Sequence, residues 1–224
     1  MALILCIESA TKSCSVALSL DGELLHFKEE ISDKYSHSEQ LTVFIEEMLK
    51  EKNLSISDLS AVAVSKGPGS YTGLRIGVST AKGICYALGK PLISVPTLES
   101  MAYGMSIAMP NKTYCPMIDA RRMEVYCAFF SSNSSPSETK AVVIDSDSFF
   151  SKLNMDEIVF FGDGADKCQD VIKHKNAVFK LNRYPSAKDM VAISHDLYLV
   201  GKFEDLAYFE PYYLKDFIAG VAKK

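Results

Sequence analysis

The chain has 224 residues, of which 48% are hydrophobic, and this is enough apolar material for one compact domain or two small ones. Its formal net charge of −4 argues against a basic nucleic-acid-binding face, so we expect any contact with nucleic acid to run through a partner. The apolar stretches are shorter than the roughly 20 residues of a membrane-spanning helix, and the apolar start reaches Glu8 without a basic leader. The sequence therefore predicts a cytoplasmic protein that does not contact a membrane.

Six cysteines are spread along the chain, and none forms a Cys-x-x-Cys pair. Most lie inside apolar runs, which favours small buried side chains over zinc ligands or disulfides. They are Cys6, Cys14, Cys85, Cys115, Cys127 and Cys168.

Three strands are predicted before any helix. Residues 3–7 form a continuous apolar run typical of a buried central strand. Residues 13–20 alternate in polarity and end at a turn, and residues 24–27 return as a third strand. This antiparallel meander is unlike a Rossmann domain, which opens with a strand and then a helix.

The first helix is predicted from a capping box and an apolar stripe. Ser36 and Glu39 have the spacing at which each side chain satisfies the other residue's backbone. The apolar residues then recur at i, i+3, i+4, i+7 and i+8, which is typical of one buried helix face. They are Leu41, Phe44, Ile45, Met48 and Leu49.

Strands and helices alternate through the rest of the chain, so the sequence predicts a pseudo-duplicated α/β fold. The predicted strands cover residues 59–64, 91–95, 113–118, 124–130, 141–144 and 157–161. The predicted helices cover residues 72–88, 97–108, 146–153 and 186–200, with one more after residues 162–164.

A glycine-rich loop, residues 67–72, joins a predicted strand to a helix N-terminus, where free N–H groups favour anions. The loop lacks the phosphate-binding pattern G-x-x-x-x-G-K-[ST], because the nearest helix lysine is Lys82. A structural turn and a nucleotide or anion site both stay open. Its candidate ligand-binding residues are Gly67, Gly69, Ser70 and Thr72.

Small residues recur every four positions on the following helix, at Gly73, Gly77 and Ala81, with Thr80 beside them. Glycine costs about 1 kcal/mol relative to alanine inside a helix, so a repeated glycine suggests close approach of another element. The stripe predicts either packing against the preceding helix or contact with another subunit.

Four segments together resemble the signature of the TsaB (YeaZ) family. The most specific is residues 65–83, Ser-Lys-Gly-Pro-Gly-Ser-Tyr-Thr-Gly-Leu-Arg-Ile-Gly-Val-Ser-Thr-Ala-Lys-Gly. The resemblance is strong over residues 1–130 and thins afterwards. The other segments are residues 3–11 with 14–18, residues 36–39, and residues 118–122 leading to 124–126, with later matches at 161–164 and 211–214.

The resemblance implies a duplicated actin-like (ribonuclease H-like) fold, with an N-terminal lobe over residues 1–108 and a C-terminal lobe over residues 109–224. Each lobe would hold a mixed sheet and helices. It also implies a non-catalytic subunit that binds a TsaD-like catalytic subunit, with a TsaE-like ATPase, for threonylcarbamoyladenosine modification of tRNA. On this resemblance the chain contacts tRNA through the complex, requires no cofactor because ATP and a metal belong to its partners, and can form a homodimer.

The matching helix of the catalytic relatives carries two histidines that flank a Leu-Glu-Gly motif and hold a metal. This chain has Thr97-Leu-Glu-Ser-Met101 there, and a hydroxyl and a thioether do not replace two imidazoles. The resemblance thus implies a pseudo-enzyme without catalytic or metal-binding residues. The alternatives are a free-standing actin-like ATP-dependent enzyme and, more remotely, a glycoprotease-like peptidase.

The resemblance also assigns two candidate sites. Members of the family pair through the first two helices, with themselves or with TsaD. This implies an interface of Leu41, Phe44, Ile45, Met48, Gly73, Gly77, Thr80 and Ala81. Glu8 stands where actin-like kinases place an acidic residue near phosphates and metal, so Glu8 and Ser9 join the candidate nucleotide or anion loop, although a capping role stays open.

The turn at residues 119–122 contains Arg121 and Arg122. We expect these arginines to brace the predicted hairpin against a nearby carboxylate rather than to meet an acidic partner.

Overall fold

The computed structural model describes residues 1–32 and 37–215 and places ten strands in two five-stranded sheets. Helix α1 (His37–Glu51) is present as predicted. The predicted capping residue Ser36 lies outside the described residues. In the described part of the chain, no helix is both long and apolar enough to cross a membrane.

The first sheet has the order β3-β2-β1-β4-β5. Strands β1, β2 and β3 form the predicted antiparallel meander, and β4 and β5 extend the sheet in parallel. The five strands are β1 (Leu3–Glu8), β2 (Ser13–Leu20), β3 (Glu23–Ile31), β4 (Ala61–Ser65) and β5 (Leu92–Val95).

Both faces of the first sheet are covered, because β1 carries apolar side chains on both of its sides. Leu5 and Ile7 pack in one core with residues of α1 and of α2 (Tyr71–Leu88). Ile4 and Cys6 pack on the opposite face against a short 3₁₀ helix (Ala187–Met190) and α6 (Val191–Leu199). The continuous apolar run is therefore a doubly buried central strand.

The second sheet has the order β10-β9-β6-β7-β8, with an antiparallel part, β6-β7-β8, and a parallel part, β6-β9-β10. In the sequence, helix α3 precedes the first strand of this sheet, and α4 and α5 come before and after β9. The elements are α3 (Thr97–Ala108), β6 (Thr113–Asp119), β7 (Glu124–Cys127), β8 (Lys140–Val143), α4 (Phe150–Leu153), β9 (Ile158–Phe161), α5 (Asp163–Asp166) and β10 (Ala177–Lys180).

The division of the chain at residues 108 and 109 stays a prediction, and the packing crosses it twice. Helix α3 precedes the division but packs on the second sheet, where Leu98 and Met101 share a core with Val159. Helix α6 follows the division but packs on the first sheet. The two sheets are thus tied together by exchanged helices.

Three sequence expectations for the second half are corrected. Strand β10 was not predicted, and the long helix over residues 186–200 is a 3₁₀ turn followed by the shorter α6. Strand β7 ends at Cys127, whereas Phe130 continues the pairing as an isolated bridge to Tyr114. All six cysteines are free and buried, which confirms their predicted role as small core side chains.

Candidate functional site

An apolar groove with a volume of about 560 Å³ lies between α1 and α2. Its apolar side chains come from both helices and from the connection after α1. They are Ile45, Leu49, Leu54, Ile56 and Ile84. Thr42, Glu46, Lys50 and Thr80 also line the groove, so polar groups surround an apolar floor.

The predicted interface residues divide between this groove and the core. Ile45 and Thr80 line the groove, and Phe44 is half-buried against the core beneath α1. The other five are buried within the lobe and do not line the groove, and their part in a subunit interface stays a prediction. They are Leu41, Met48, Gly73, Gly77 and Ala81.

The small-residue stripe of α2 faces the end of β1. A Cβ atom on Gly77 would overlap Ser9 Oγ and would lie 3.6 Å from Ile7 Cγ2. Ser9 Oγ also donates a 2.9 Å hydrogen bond to the carbonyl of Gly73. Gly77 therefore permits helix-to-strand contact inside the lobe, a neighbour that neither predicted alternative named. Ala81 of the same stripe shares a core with Leu41 and Met48 of α1, as the first alternative expected.

A second cavity, of about 350 Å³, lies between the two lobes. The first lobe contributes the β1–β2 turn and the loop before α2, and the second lobe contributes the β6–β7 turn and the start of α5. The lining residues from the two lobes are Ala10, Thr11, Pro68, Gly69, Ser70, Tyr71, Thr72, Ile118, Asp119, Ala120, Arg121, Tyr126 and Asp163. Residues 212–215 complete the lining.

Gly69, Ser70 and Thr72 of the predicted anion loop line this cavity, whereas Gly67 does not. The N–H of Gly67 donates to Thr97 Oγ1 at 3.1 Å. Ser70 also has internal roles, because its N–H donates to the carbonyl of Ala10 at 2.6 Å and its hydroxyl accepts from the N–H of Gly73. These contacts occupy donors that an anion would need and explain the loop as a helix cap.

Glu8 and Ser9 are fully buried and do not line the cavity, and their part in a nucleotide or anion site stays a prediction. Glu8 Oε1 accepts from the N–H of Ala10 at 2.6 Å and from Ser65 Oγ at 2.9 Å. Within the described residues Oε2 is buried without a hydrogen-bond partner. Burial raises the pKa of Glu8 to about 7, and the carboxyl group holds the β1–β2 turn in place.

The β6–β7 turn is braced by Lys167, which corrects the role expected for the arginines. Lys167 Nζ donates to the carbonyls of Arg122 at 2.6 Å and Glu124 at 2.7 Å, and it pairs with Asp119. Both arginine side chains are exposed and, among the residues that the structure describes, neither forms an ion pair. Sequence reasoning missed Lys167 because it is distant in the chain and lies in no motif.

Asp163 in the cavity wall also contacts the β6–β7 region. Asp163 accepts from the N–H of Asp119 at 3.2 Å, and burial raises the pKa of Asp163 to about 6. Across residues 1–32 and 37–215, no group of three or more His, Cys, Asp or Glu side chains is arranged to hold a metal ion. The open apolar groove between α1 and α2 is the candidate functional site.

Sequence comparisons find relatives that are named for the threonylcarbamoyladenosine modification of tRNA. The family model for TsaD, tRNA N6-adenosine threonylcarbamoyltransferase, matches residues 30–223. The tRNA threonylcarbamoyladenosine biosynthesis protein TsaB of Escherichia coli (strain K12) is 32% identical over 225 residues, covering 96% of this chain and 96% of the relative. The protein of the same name from Bacillus subtilis (strain 168) is 36% identical over 97 residues, covering 43% of this chain and 42% of the relative.

Solved structures show the fold. A Pseudomonas aeruginosa protein described as similar to peptidase YEAZ matches with a TM-score of 0.82 at 23% identity, covering 96% of this chain and all (100%) of that chain. YeaZ from Pseudomonas aeruginosa matches with a TM-score of 0.79 at 22% identity and the same coverage, 96% and 100%. Together with the two mixed sheets, these likenesses make this chain a duplicated actin-like α/β fold of two lobes, as predicted.

Proposed function

The chain belongs to the TsaB (YeaZ) family, and we propose that it is a non-catalytic cytoplasmic subunit for threonylcarbamoyladenosine modification of tRNA. It binds a TsaD-like catalytic subunit, and a TsaE-like ATPase joins the complex. ATP and metal belong to those partners. The formal net charge of −4 supports contact with tRNA through the complex rather than through this chain alone.

The groove between α1 and α2 is the observation that carries this proposal. Five aliphatic side chains line it. Ile56 is exposed and Leu54 and Ile84 are half-buried, above the buried Ile45 and Leu49. An apolar depression rimmed by polar groups is typical of a protein-binding surface. The groove also contains Ile45 and Thr80 from the interface that the family resemblance implies. A helix or loop of the partner that inserts apolar side chains here would bury this surface.

The start of α3 supports the non-catalytic part of the proposal. Thr97 and Met101 stand where the catalytic relatives would have their two histidines, and both are buried. Thr97 Oγ1 accepts from the N–H of Gly67 at 3.1 Å, and Met101 packs in the core beneath the second sheet. These positions hold the fold together, so they are unavailable as metal ligands.

Binding of a purified TsaD-like partner tests the groove directly. Thr80→Arg places a long charged side chain over the apolar floor, and we expect the dissociation constant to rise at least tenfold, which is about 1.4 kcal/mol. Ser79→Arg is the matched control, because Ser79 is exposed on the same helix and does not line the groove.

Calorimetric titration of both variants, each checked by a thermal melt, gives the comparison. Unchanged affinity of folded Thr80→Arg, or an equal loss in Ser79→Arg, would remove the groove from the interface.

A further inference from the structure

The segment of residues 211–215, here called the strap, crosses from the first lobe to the second. It is fixed to the first lobe by its backbone, since the N–H of Tyr212 donates to the carbonyl of Lys66 at 2.7 Å. Tyr213 adds side-chain contacts. Its hydroxyl accepts from Arg75 Nε at 3.2 Å, and its ring lies 4.7 Å from the ring of Tyr71, measured between centroids.

The chain before the strap is also held by the first lobe. Lys82 Nζ donates to the carbonyls of Ala207 at 3.2 Å and Phe209 at 3.1 Å. Leu206 and Phe209 pack against the core that α1 and α2 share with the first sheet. Helix α2 therefore anchors this part of the chain over several turns.

The strap contacts the second lobe through an ion pair. Lys215 Nζ forms an ion pair with the carboxylate of Glu124 at the start of β7. The side chains of Lys215 and Glu124 are 42% and 21% exposed, so water and salt reach the pair. Exposed ion pairs contribute little to stability, and this contact is consequently the weaker end of the strap.

The strap also covers the cavity between the lobes. Tyr212, Tyr213, Leu214 and Lys215 all line it, opposite the β1–β2 turn and the β6–β7 turn. Thr11 in the cavity wall is only 3% exposed. Movement of Leu214 and Lys215 away from the second lobe would open this side of the cavity while leaving the first-lobe anchor of residues 212–213 intact.

We propose that residues 211–215 are a releasable strap, anchored on the first lobe, whose detachment from Glu124 uncovers the cavity between the lobes. The ion pair sets how often the strap is released, and the backbone bond of Tyr212 to Lys66 sets where it pivots. This inference does not depend on the proposed partner.

Two introduced thiols can report the release, because all six native cysteines are buried. Leu214→Cys reports the strap and Thr11→Cys reports the cavity wall. Each reporter is combined with Glu124→Gln, which keeps the side-chain shape but removes its charge. Glu138→Gln is the matched control, since Glu138 forms an exposed ion pair with Lys140 on the same lobe and does not line the cavity.

We expect Glu124→Gln to raise the maleimide modification rate of both thiols about two- to fivefold, as loss of an exposed ion pair allows. Glu138→Gln should leave both rates unchanged. Raising NaCl to 1 M, where the Debye length is about 3 Å, should raise the rates in the parent protein and have little effect in Glu124→Gln. Lys215→Gln should raise the modification rates as much as Glu124→Gln does. The double variant should react no faster than either single variant, because both changes remove the same ion pair.

Unchanged modification rates at both thiols in folded Glu124→Gln and Lys215→Gln would contradict the proposal that the ion pair holds the strap in place. A faster rate at Leu214→Cys with an unchanged rate at Thr11→Cys would show that the segment moves without covering the cavity, which also contradicts the proposal. Reaction of the native cysteines at the same rate would identify global unfolding instead of release, and this too would count against the strap.

Discussion

Glu8 shows how burial sets the behaviour of a single residue. Its carboxyl group is fully buried, and burial raises its pKa from 4.5 to about 7. The folded protein therefore holds this proton more tightly than the unfolded chain does. The contribution of Glu8 to stability is complete below about pH 4.5 and is lost as the pH rises toward 7, above which both states are ionised.

Glu8→Gln should remove this pH dependence while keeping the hydrogen bonds to Ala10 and Ser65. We expect the free energy of unfolding of the variant, minus that of the parent, to grow by roughly 1–3 kcal/mol between pH 4.5 and 7 and then to level off. Urea titrations at several pH values measure it. Asp163 and Asp189 titrate in both proteins, so most of their contribution cancels in the difference, and a constant difference would contradict the assignment to Glu8.

Gly77 provides a second test at the residue scale. Because a Cβ atom there would overlap Ser9 Oγ, Gly77→Ala should lower the free energy of unfolding by roughly 1–3 kcal/mol, as overpacking does. A Cβ atom on Gly83 of the same helix would meet open space among the described residues, so Gly83→Ala should instead stabilise by up to about 1 kcal/mol. If α2 packs against β1 at Gly77, thermal melts should show a lower melting temperature for Gly77→Ala and a higher one for Gly83→Ala. Changes of the same sign in both variants would contradict this packing.

Among the secondary-structure elements, the β6–β7 turn depends on a lysine that directly follows α5 and is more than 40 residues away in the chain. Lys167→Met removes the donor to the carbonyls of Arg122 and Glu124 and should cost roughly 1–3 kcal/mol of stability. Arg121→Ala, the control, removes an exposed side chain of the same turn and should change stability by less than about 0.5 kcal/mol. Equal losses in denaturant titrations would restore the bracing role first expected for the arginine.

Hydrophobic periodicity and helix-capping residues predicted the strands and helices of the first lobe well. Helix α2 ends where Gly89 adopts a left-handed conformation, with φ 63°, and α3 has the predicted bounds. These signals are local, so they can be found in one sequence. Strand β10 was missed because residues 177–180 form a short run with no alternation, and pairing with β9 alone makes it a strand.

The candidate sites were harder to predict than the elements. The pattern of Gly73 and Gly77 showed correctly that something approaches α2 closely, but a spacing of four cannot identify the neighbour. Likewise, the apolar stripe of α1 contains both core residues, such as Met48, and groove residues, such as Ile45. The groove exists only once α1, α2 and the following connection are packed together, and no local signal contains that information.

At the scale of the whole molecule, the two lobes are held by exchanged elements rather than by one linker. Helix α3 packs on the second sheet, and α6 returns to the first. The cavity between the lobes is lined by the chain's own residues 212–215, while the α1–α2 groove on the first lobe is open. The open groove is the surface on which the proposed partner would bind.

Reconstitution of tRNA modification from purified components shows whether this chain is a non-catalytic subunit. The chain alone should neither hydrolyse ATP appreciably nor modify tRNA, whereas adding it to a TsaD-like subunit, a TsaE-like ATPase and threonylcarbamoyl-adenylate should restore modification. Thr80→Arg should need at least a tenfold higher concentration to do so. Robust ATP turnover or tRNA modification by the purified chain alone, or full modification by the partners without it, would contradict the account.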